Sequence, residues 1–289
     1  MVRIVLISMA LLAALPARAD ERLARGAYLF AAGGCLSCHT DVAGKGPELA
    51  GGRALKTPFG TFYSPNITPD AETGIGTWSE AAFVAALRRG ERPQGGHYFP
   101  AFPYTTYARL SDEDARAIFA YLKSLPPVRQ ANRPHDVPAP FGWRWPLRFW
   151  RLLYFDDSPF AADPARSDEV NRGAYLVEAL THCGECHTPR NIMGALDRSM
   201  WMAGTADGPE GELAPNITPH ATGIADWSAA DLVELMRSGM KPDYDDVQGT
   251  MADAVTYSLS KLRDEDLEAI AAYFAAIPAI ENRVKSRSD

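Results

Sequence analysis

The chain has 289 residues, with 36 acidic against 29 basic side chains and a formal net charge of −7 at pH 7. This acidic balance argues against nucleic acid as a partner and suits a protein partner with a basic surface better. The length exceeds what one small core needs and favours two domains. Only four cysteines occur, at positions 35, 38, 183 and 186, so their spacing has to explain their chemistry.

The first segment predicts export. Arg3 precedes an apolar run from Ile4 to Leu15, and Pro16-Ala-Arg-Ala19 forms a small-residue cleavage pattern. An apolar run of about a dozen residues is too short to cross ~30 Å of hydrocarbon. We interpret residues 1–19 as a signal peptide cleaved after Ala19 and expect a periplasmic protein. Its loss would leave 27 basic and 36 acidic residues, and membrane association should be at most peripheral.

One module occurs twice in the chain. Arg25-Gly-Ala-Tyr-Leu29 recurs as Arg172-Gly-Ala-Tyr-Leu176, and Pro65-Asn-Ile-Thr-Pro69 recurs as Pro215-Asn-Ile-Thr-Pro219. Residues 110–128 and 262–280 close the two copies, and the offset between copies drifts only from 147 to 152 residues. Such drift is typical of tandem duplication with loop insertions. We predict a first repeat at residues 20–128, a linker at residues 129–167 and a second repeat at residues 168–289.

Caps and apolar periodicity predict helices in both repeats. Ser79 and Ser228 suit N-caps, and Gly90 and Gly239 suit the ends of the helices that follow them. Ser111 precedes a third helix over residues 113–125. Further helices are predicted at residues 21–32 and 169–180, and alternating strand patterns are absent. The long loops of each module need a bound group to bury their apolar residues.

The cysteines form two Cys-x-x-Cys-His motifs, Cys35 to His39 and Cys183 to His187. In this c-type haem attachment pattern, two thiols one helical turn apart bond to one porphyrin edge, and the adjacent histidine ligates the iron. A thioredoxin-like redox pair would need a parallel sheet, and structural zinc would need four ligands where each motif offers three. We therefore predict two covalently bound haem c groups, attached through Cys35 with Cys38 and Cys183 with Cys186. Their proximal iron ligands would be His39 and His187.

Both modules resemble class I cytochromes c, and the pair is similar to the cytochrome c subunits of bacterial periplasmic or membrane-bound dehydrogenases. The resemblance implies an all-α fold of two tandem class I cytochrome c domains, joined by a linker rich in proline and aromatic residues. It also implies that Pro47 offers its carbonyl to the proximal histidine and that Pro189 does so in the second module. Arg190 would pair with a haem propionate. Such subunits commonly carry three haem modules, whereas this chain has two.

The sixth ligands of the two haems are predicted to differ. The family usually provides methionine, whose thioether raises the reduction potential. Met251, 64 residues after His187 and in a loop before the final helix, fits that role. In the first repeat Phe102 stands where relatives often have methionine, and residues 20–128 contain none. Either His97 ligates the first haem, or His97 is a solvated loop residue and the position holds water or stays open; His135 is a weaker alternative.

The linker carries a run rich in aromatic residues and arginine at residues 141–155. These rings either wedge between the modules and fix the haem separation, or contact a partner or a membrane surface. We predict a protein, or a subunit of a dehydrogenase complex, that only transfers electrons. It would pass them from a periplasmic dehydrogenase to a cytochrome, an oxidase or quinone. The alternative is a dihaem peroxidase-like enzyme that uses an open or His97-ligated first haem.

Overall fold

The computed structural model describes residues 20–285, which form a predominantly helical protein, as predicted. The first repeat contains α1 (20–32), α2 (Cys35–His39), α3 (Glu80–Arg89), α4 (Tyr104–Tyr107) and α5 (Asp112–Ser124). The linker contains α6 (Leu147–Tyr154). The second repeat contains α7 (Asp168–Tyr175), a π-helical turn (Leu176–Leu180), α8 (Gly184–His187), α9 (Ala229–Ser238), α10 (Gly249–Tyr257) and α11 (Asp264–Ala276). Short 3₁₀ turns lie at Arg198–Met200, Pro209–Gly211 and Leu259–Lys261. The predicted signal peptide lies outside the described residues.

One small antiparallel sheet corrects the expectation that strands are absent. Strand β1 (Ala54–Thr57) pairs with β2 (Gly60–Tyr63), with Ala54 opposite Tyr63. Thr61 and Asp136 exchange backbone hydrogen bonds of 2.8 and 2.9 Å, so the linker runs along the edge of β2. Each strand has only four residues, too few to show an alternating pattern in the sequence.

The predicted caps of α3 and α9 are confirmed. The Ser79 hydroxyl accepts a hydrogen bond from the Ala82 amide at 3.1 Å, and Ser228 forms a reciprocal capping box with Asp231. Gly90 and Gly239 end these helices with φ values of 61° and 87°, a left-handed conformation that favours glycine. The two helices therefore begin and end by the same local chemistry in both repeats.

In each repeat the first long helix crosses the last at a glycine. A Cβ atom on Gly26 would lie 2.1 Å from the carbonyl oxygen of Ala117 in α5. A Cβ atom on Gly173 would lie 1.9 Å from the carbonyl oxygen of Ala269 in α11. Both glycines belong to the repeated Arg-Gly-Ala-Tyr-Leu motif, which thus permits a close crossing of two helix backbones.

The two repeats share one hydrophobic core. Its buried members include Leu29 and Leu122 from the first repeat and Leu180 and Ile270 from the second. The Ser258 hydroxyl, just after α10, also donates a hydrogen bond of 2.7 Å to the carbonyl oxygen of Ala32 in α1. Burial and hydrogen bonding therefore join the two copies along α1, α7, α10 and α11.

Tyrosines of the repeated motif reach across to the opposite copy. The Tyr28 hydroxyl donates a hydrogen bond to Asp266 in α11, and the Tyr175 hydroxyl donates one to Asp114 in α5. Each aspartate also pairs with an arginine of its own repeat, Asp114 with Arg25 and Asp266 with Arg172. The contacts are equivalent in the two directions, as expected for duplicated halves packed about an approximate twofold axis.

Among residues 20–285, no helix is long and apolar enough to cross a membrane.

Candidate functional site

The two motif histidines are held alike. His39 ends α2, and its Nδ1 donates a hydrogen bond of 2.8 Å to the carbonyl oxygen of Pro65. His187 ends α8, and its Nδ1 donates one of 2.8 Å to the carbonyl oxygen of Pro215. With Nδ1 engaged, Nε2 is the nitrogen left to bind a metal. Burial lowers the pKa of both imidazoles, which favours the neutral form that ligates iron.

These acceptors correct the assignment of Pro47 and Pro189. The Pro47 carbonyl accepts a hydrogen bond from the Ala50 amide at 3.2 Å, and that of Pro189 accepts one from the Asp197 amide at 2.8 Å. Both carbonyls are thus used inside the loop that follows each histidine. Pro65 and Pro215 begin the repeated Pro-Asn-Ile-Thr-Pro motif, and that repeat was the signal that could have identified them.

A buried asparagine ties each proline loop to the segment that follows the last helix of its repeat. The Asn66 side chain accepts hydrogen bonds from the Thr68 amide and hydroxyl and donates one of 2.8 Å to the carbonyl oxygen of Val128. In the second repeat Asn216 accepts from Thr218 and donates to the carbonyl oxygen of Ile280, also at 2.8 Å. The acceptor of each histidine is therefore fixed by a satisfied polar network.

A glycine contacts the backbone of each motif histidine, and with the proline carbonyl and the asparagine it forms what we call the histidine cradle. The Gly51 amide donates a hydrogen bond of 2.8 Å to the carbonyl oxygen of His39, and Gly204 makes the same bond to His187. Their φ values are 77° and 82°. A Cβ atom would lie 2.5 Å from the carbonyl carbon of Pro65 or Pro215. Only glycine lets the histidine backbone and its acceptor loop approach so closely.

The four cysteines are free thiols. None of the four forms a disulfide. Burial raises the pKa of Cys35 to about 12, and the neighbouring Cys38 adds to the rise. Burial raises the pKa of Cys186 to about 12 as well, with Glu185 and Cys183 contributing. Each pair therefore consists of free, protonated thiols one helical turn apart.

The two motifs meet at the interface between the repeats. The carbonyl oxygen of Gly33, just before α2, accepts a hydrogen bond of 3.1 Å from the Tyr107 hydroxyl. It also lies 3.3 Å from Nε2 of His182, the residue before Cys183. The rings of Tyr107 and His182 pack edge to face with centroids 5.9 Å apart. Groups bound at the two motifs would therefore be neighbours.

Glu185, between Cys183 and Cys186, strengthens this contact. Its carboxylate accepts hydrogen bonds from the Thr106 hydroxyl at 2.6 Å and the Thr105 hydroxyl at 3.2 Å, both in the first repeat. Arg190 pairs with the same carboxylate at 2.5 Å, so the structure gives this arginine a protein partner. Burial raises the pKa of Glu185, but Arg190 and Thr106 outweigh that effect and hold it below its usual value.

Two equivalent hairpins identify the residue of the first repeat that corresponds to Met251. The Tyr98 amide donates to the carbonyl oxygen of Gly90 at 2.7 Å, and the Val247 amide donates to that of Gly239 at 2.9 Å. Phe102 and Met251 each follow four residues after the donor, and both are partly buried against the shared core. Phe102 therefore takes the position in the first repeat that Met251 takes in the second.

Met251 lies in α10 rather than in a loop, which corrects its predicted setting. The helix begins at Gly249 without a cap from its own N-cap side chain. The Glu212 carboxylate instead accepts hydrogen bonds from the Thr250 amide at 2.8 Å and its hydroxyl at 2.7 Å. That cap comes from a residue 38 positions earlier, which local sequence patterns do not reveal.

The contacts of His97 lie in the hairpin and with the linker. His97 pairs with Glu91 in the hairpin, and its carbonyl oxygen accepts a hydrogen bond of 2.9 Å from Arg144 of the linker. Burial lowers the pKa of its imidazole, and Arg151 lowers it further. The Nδ1 atom is buried and has no hydrogen-bond partner among the described residues.

His135 is likewise engaged elsewhere. Its Nδ1 accepts a hydrogen bond of 3.1 Å from the Tyr63 amide, at the end of β2. Its ring packs edge to face on Phe62 and Phe99, with centroids 5.3 and 5.9 Å away. These contacts give His135 a structural role beside the small sheet.

Comparisons with known proteins identify the family of this chain. Residues 23–126 match the family model described as Cytochrome c. A diheme cytochrome c-type protein of Cereibacter sphaeroides is 48% identical over 261 residues, which cover 89% of this chain and 86% of that protein. The chain belongs to the cytochrome c family. Its resemblance to that protein spans both repeats of this cytochrome.

Longer relatives are named as parts of dehydrogenases. The cytochrome c subunit of alcohol dehydrogenase (quinone) from Gluconobacter oxydans is 41% identical over 91% of this chain and 56% of its own length. The gluconate 2-dehydrogenase cytochrome c subunit of Pantoea cypripedii is 41% identical over 90% of this chain and 60% of its own length. The cytochrome thus spans little more than half of these two subunits.

Haem c fits the residues present in both repeats of this cytochrome. Each repeat offers two thiols outside any disulfide and a buried histidine whose Nδ1 is engaged. The hydrogen bond to Nδ1 fixes the ring and increases the basicity of the coordinating nitrogen.

Proposed function

We propose that this cytochrome carries two covalently bound haem c groups and transfers single electrons from a dehydrogenase to a downstream acceptor. The observation that carries the proposal is the duplicated histidine, held through Nδ1 at 2.8 Å by a proline carbonyl and preceded by two unbonded thiols. Haem supplies a reversible one-electron iron couple. The chain binds each group, orients the ligating imidazole and sets the separation of the two motifs.

Each residue of the site has a proposed role. Cys35 with Cys38 would attach haem 1, and Cys183 with Cys186 would attach haem 2. His39 and His187 would be the proximal ligands. Met251 would be the sixth ligand of haem 2, because it is partly buried against the shared core at the position where the family usually provides methionine. We assign residues 20–128 and 168–289 to two cytochrome c domains and residues 129–167 to their linker.

Electrons would pass directly between the haems. Direct transfer is supported by the contacts of Gly33 with His182 and of Thr106 with Glu185, which join the first repeat to the second beside the proposed attachment residues. Because histidine and methionine together give a higher potential than ligation without methionine, haem 2 would be the preferred electron acceptor within the molecule. Electrons from the dehydrogenase would therefore enter at haem 1.

The decisive experiment is attachment of the haems. Mature protein produced with a c-type maturation system should show two haems per chain, by pyridine haemochrome absorbance and by intact mass. Cys35→Ala with Cys38→Ala should leave one haem, and Cys183→Ala with Cys186→Ala should leave the other. A colourless protein, or one with the mass of the bare polypeptide, would overturn the proposal.

Export is part of the proposed function. The apolar run and the Pro16-Ala-Arg-Ala19 pattern support cleavage after Ala19 and delivery to the periplasm, where c-type attachment would be completed. The periplasmic fraction should contain a haem-stained protein whose N-terminal residue is Asp20. A mature protein that keeps residues 1–19 would contradict cleavage.

We propose a dehydrogenase as the partner because the relatives from Gluconobacter oxydans and Pantoea cypripedii are named as dehydrogenase subunits. A tagged copy purified from its native periplasm should carry a dehydrogenase activity that reduces the haems. Alcohols and gluconate, named for those relatives, are the first substrates to test. The acceptor would be found by following reoxidation with added cytochromes, oxidase-containing membranes or a quinone.

The outer face of α6 is the proposed docking surface for that dehydrogenase. Leu147 and Trp150 are buried, and Trp150 packs with Tyr104 and Ala195, so the inner face of α6 contacts both repeats. Large apolar side chains are exposed on this outer face and just before the helix: Phe149 (50%), Leu152 (82%) and Leu153 (71%) in α6, and Trp143 (51%) and Trp145 (60%) before it. Exposed aromatic residues in one patch are typical of protein interfaces.

The charges around α6 favour a protein over an anionic membrane. Arg148 is exposed, but Arg144 and Arg151 donate hydrogen bonds to backbone carbonyls of the first repeat, and exposed Asp156 and Asp157 follow the helix. Leu152→Ser with Leu153→Ser should weaken dehydrogenase copurification, while Val42→Ser, at an exposed apolar residue of the first repeat, should not. Binding of the protein to anionic vesicles, lost in the double variant, would instead indicate peripheral membrane association.

Peroxidase activity at haem 1 is the second candidate function, because Phe102 stands where methionine is expected as the sixth ligand. It predicts peroxide turnover that the variant without Cys35 and Cys38 lacks. Absence of turnover in the dihaem protein would exclude it.

A further inference from the structure

We propose that haem 1 has no side chain as its sixth ligand and that it binds a neutral diatomic molecule such as carbon monoxide, while haem 2 does not. The inference rests on the proposed function, because it requires haem c at the Cys35–His39 motif. It goes further by assigning a small-molecule site to one half of the molecule. Its basis is the difference between Phe102 and Met251 at equivalent positions.

The equivalence follows from backbone hydrogen bonds. Both hairpins leave a long helix at a left-handed glycine, Gly90 or Gly239, and close on the carbonyl oxygen of that glycine. Both then run four residues to the position in question and pack it against the shared core. A phenyl ring has no lone pair to give to iron, whereas the thioether of Met251 has one.

The first repeat offers no methionine, cysteine or lysine to take over from Phe102. Residues 20–128 contain no methionine, and both of their cysteines are used for attachment. The lysines lie elsewhere: Lys45 in the loop after α2, Lys56 in β1 and Lys123 against the carbonyl oxygen of Gly76.

His97 is the strongest competitor and is held away from this position. It stands where Asp246 stands in the second repeat, since Glu91 pairs with His97 as Met240 pairs with Asp246. Three hydrogen bonds fix this turn, from the Arg92 amide to Gly96 at 3.0 Å, from the Tyr98 amide to Gly90 at 2.7 Å and from Arg144 to His97 at 2.9 Å. Ligation by His97 would require the hairpin and its contact with the linker to open.

The surroundings of Phe102 are aromatic, and the Arg151 guanidinium lies 5.4 Å from the ring centroid of one of these residues, Tyr104. Its ring lies 5.8 Å from that of Tyr98, 6.0 Å from that of Tyr107 and 6.4 Å from that of Tyr104, measured between centroids. The Tyr107 hydroxyl is already engaged with the carbonyl oxygen of Gly33. Carbon monoxide is the suitable probe, because ferrous haem iron with an open sixth position binds this neutral molecule.

The test is a titration of the reduced dihaem protein with carbon monoxide, followed by haem absorbance. We expect one molecule bound per two haems. Phe102→Met should lower this to none, because the thioether restores a sixth ligand. Met251→Phe should raise it to two, and His97→Ala should leave it at one.

Each outcome decides the matter. No binding to the unaltered protein, or two molecules bound, overturns the inference. One molecule that persists unchanged in Phe102→Met also overturns it, because the open position then lies elsewhere. Binding that appears only in His97→Ala would identify His97 as the ligand. A protein that carries two haems and binds no carbon monoxide defeats this inference alone, whereas a protein without covalent haem defeats the proposed function.

Discussion

The two repeats hold their histidines by the same contacts and differ at the position equivalent to Met251. On the proximal side, Pro65 corresponds to Pro215 and Gly51 to Gly204, with hydrogen bonds of equal length. After the hairpin, the first repeat has Phe102 where the second has Met251. The histidine cradle depends on a glycine, a proline carbonyl and an asparagine together, so a change in one disturbs the others. The distal position depends on one partly buried side chain, and a replacement of similar size is tolerated there.

The residues that determine the structure of the two repeats are therefore distinct from those expected to set the reduction potentials of the haems. The cradle and the tyrosine contacts between repeats hold the two motifs at a fixed separation. In the proposed function, the residue after each hairpin determines the sixth ligand of the iron. A duplicated protein can thus make its two redox centres unequal with one substitution, without altering their geometry.

The largest expected effect is that of Met251→Phe, which would make the second repeat resemble the first. We expect haem 2 to lose its sixth ligand, become high-spin and fall in potential, because the thioether favours ferrous iron. A spectroelectrochemical titration should show two separated potentials in the unaltered protein and a smaller separation in the variant. Two equal potentials before substitution would contradict the asymmetry.

Substitution of the cradle glycines tests the symmetric side of the comparison. In Gly51→Ala and Gly204→Ala the new Cβ would lie 2.5 Å from a proline carbonyl carbon at a φ of 77° or 82°, so the acceptor loop must move. We expect each to reduce the free energy of unfolding by about 2–4 kcal/mol. Denaturant unfolding of the dihaem protein measures this. Gly95→Ala, where the new Cβ would meet nothing within 4 Å, is the matched control for left-handed φ alone.

Local features of the fold could be predicted from the sequence. The caps of α3 and α9 were predicted correctly because each depends on residues within a few positions of one another. The Pro65 acceptor was missed because it lies 26 residues from His39, and Pro47 was the nearer proline in the sequence.

Features that depend on distant residues could not be predicted. The helix around Met251 is capped by Glu212, and β2 pairs with the linker at Asp136. The exchange between Tyr28 and Asp266 joins residues 238 positions apart. The repeated motifs showed that several of these residues occupy corresponding positions in the two repeats. Only the packing of one repeat on the other shows which residues they contact.

Protonation of Asp266 should weaken the contact between repeats in acid. Burial raises its pKa, but hydrogen bonds from Arg172 and Tyr28 outweigh that and hold the pKa below its ordinary value. Its stabilisation should therefore be complete above roughly pH 4, near the unfolded-state pKa, and be lost as the pH falls through the lower folded-state pKa. Asp266→Asn should cost about 1–3 kcal/mol at pH 7 and progressively less below pH ~4.

Denaturant unfolding at pH 7 and below pH ~4 measures this cost. The control is Asp264→Asn, on the same helix with a side chain 75% exposed. It should change the unfolding free energy by less than about 0.5 kcal/mol at either pH. An equal loss for the two variants would show that acid acts on the general charge of α11 and not on the contact with Tyr28.

The smallest effects should come from the two tyrosines that exchange between repeats. Each hydroxyl donates to an aspartate of the other copy and accepts from a backbone amide there at 3.3 Å, Tyr28 from Arg263 and Tyr175 from Ser111. Tyr28→Phe and Tyr175→Phe should each lower the unfolding free energy by about 1 kcal/mol, with no change in the haem spectra.

Because the two contacts share no residue, the double variant should lose roughly the sum, within ~0.5 kcal/mol. Denaturation midpoints of the four proteins, measured with both haems attached, give the answer. A loss of unfolding free energy in only one of the two single variants would show that one tyrosine contact stabilises the interface and the other does not. An equal loss would show that the contact between the repeats stayed symmetric while the residues at positions 102 and 251 diverged.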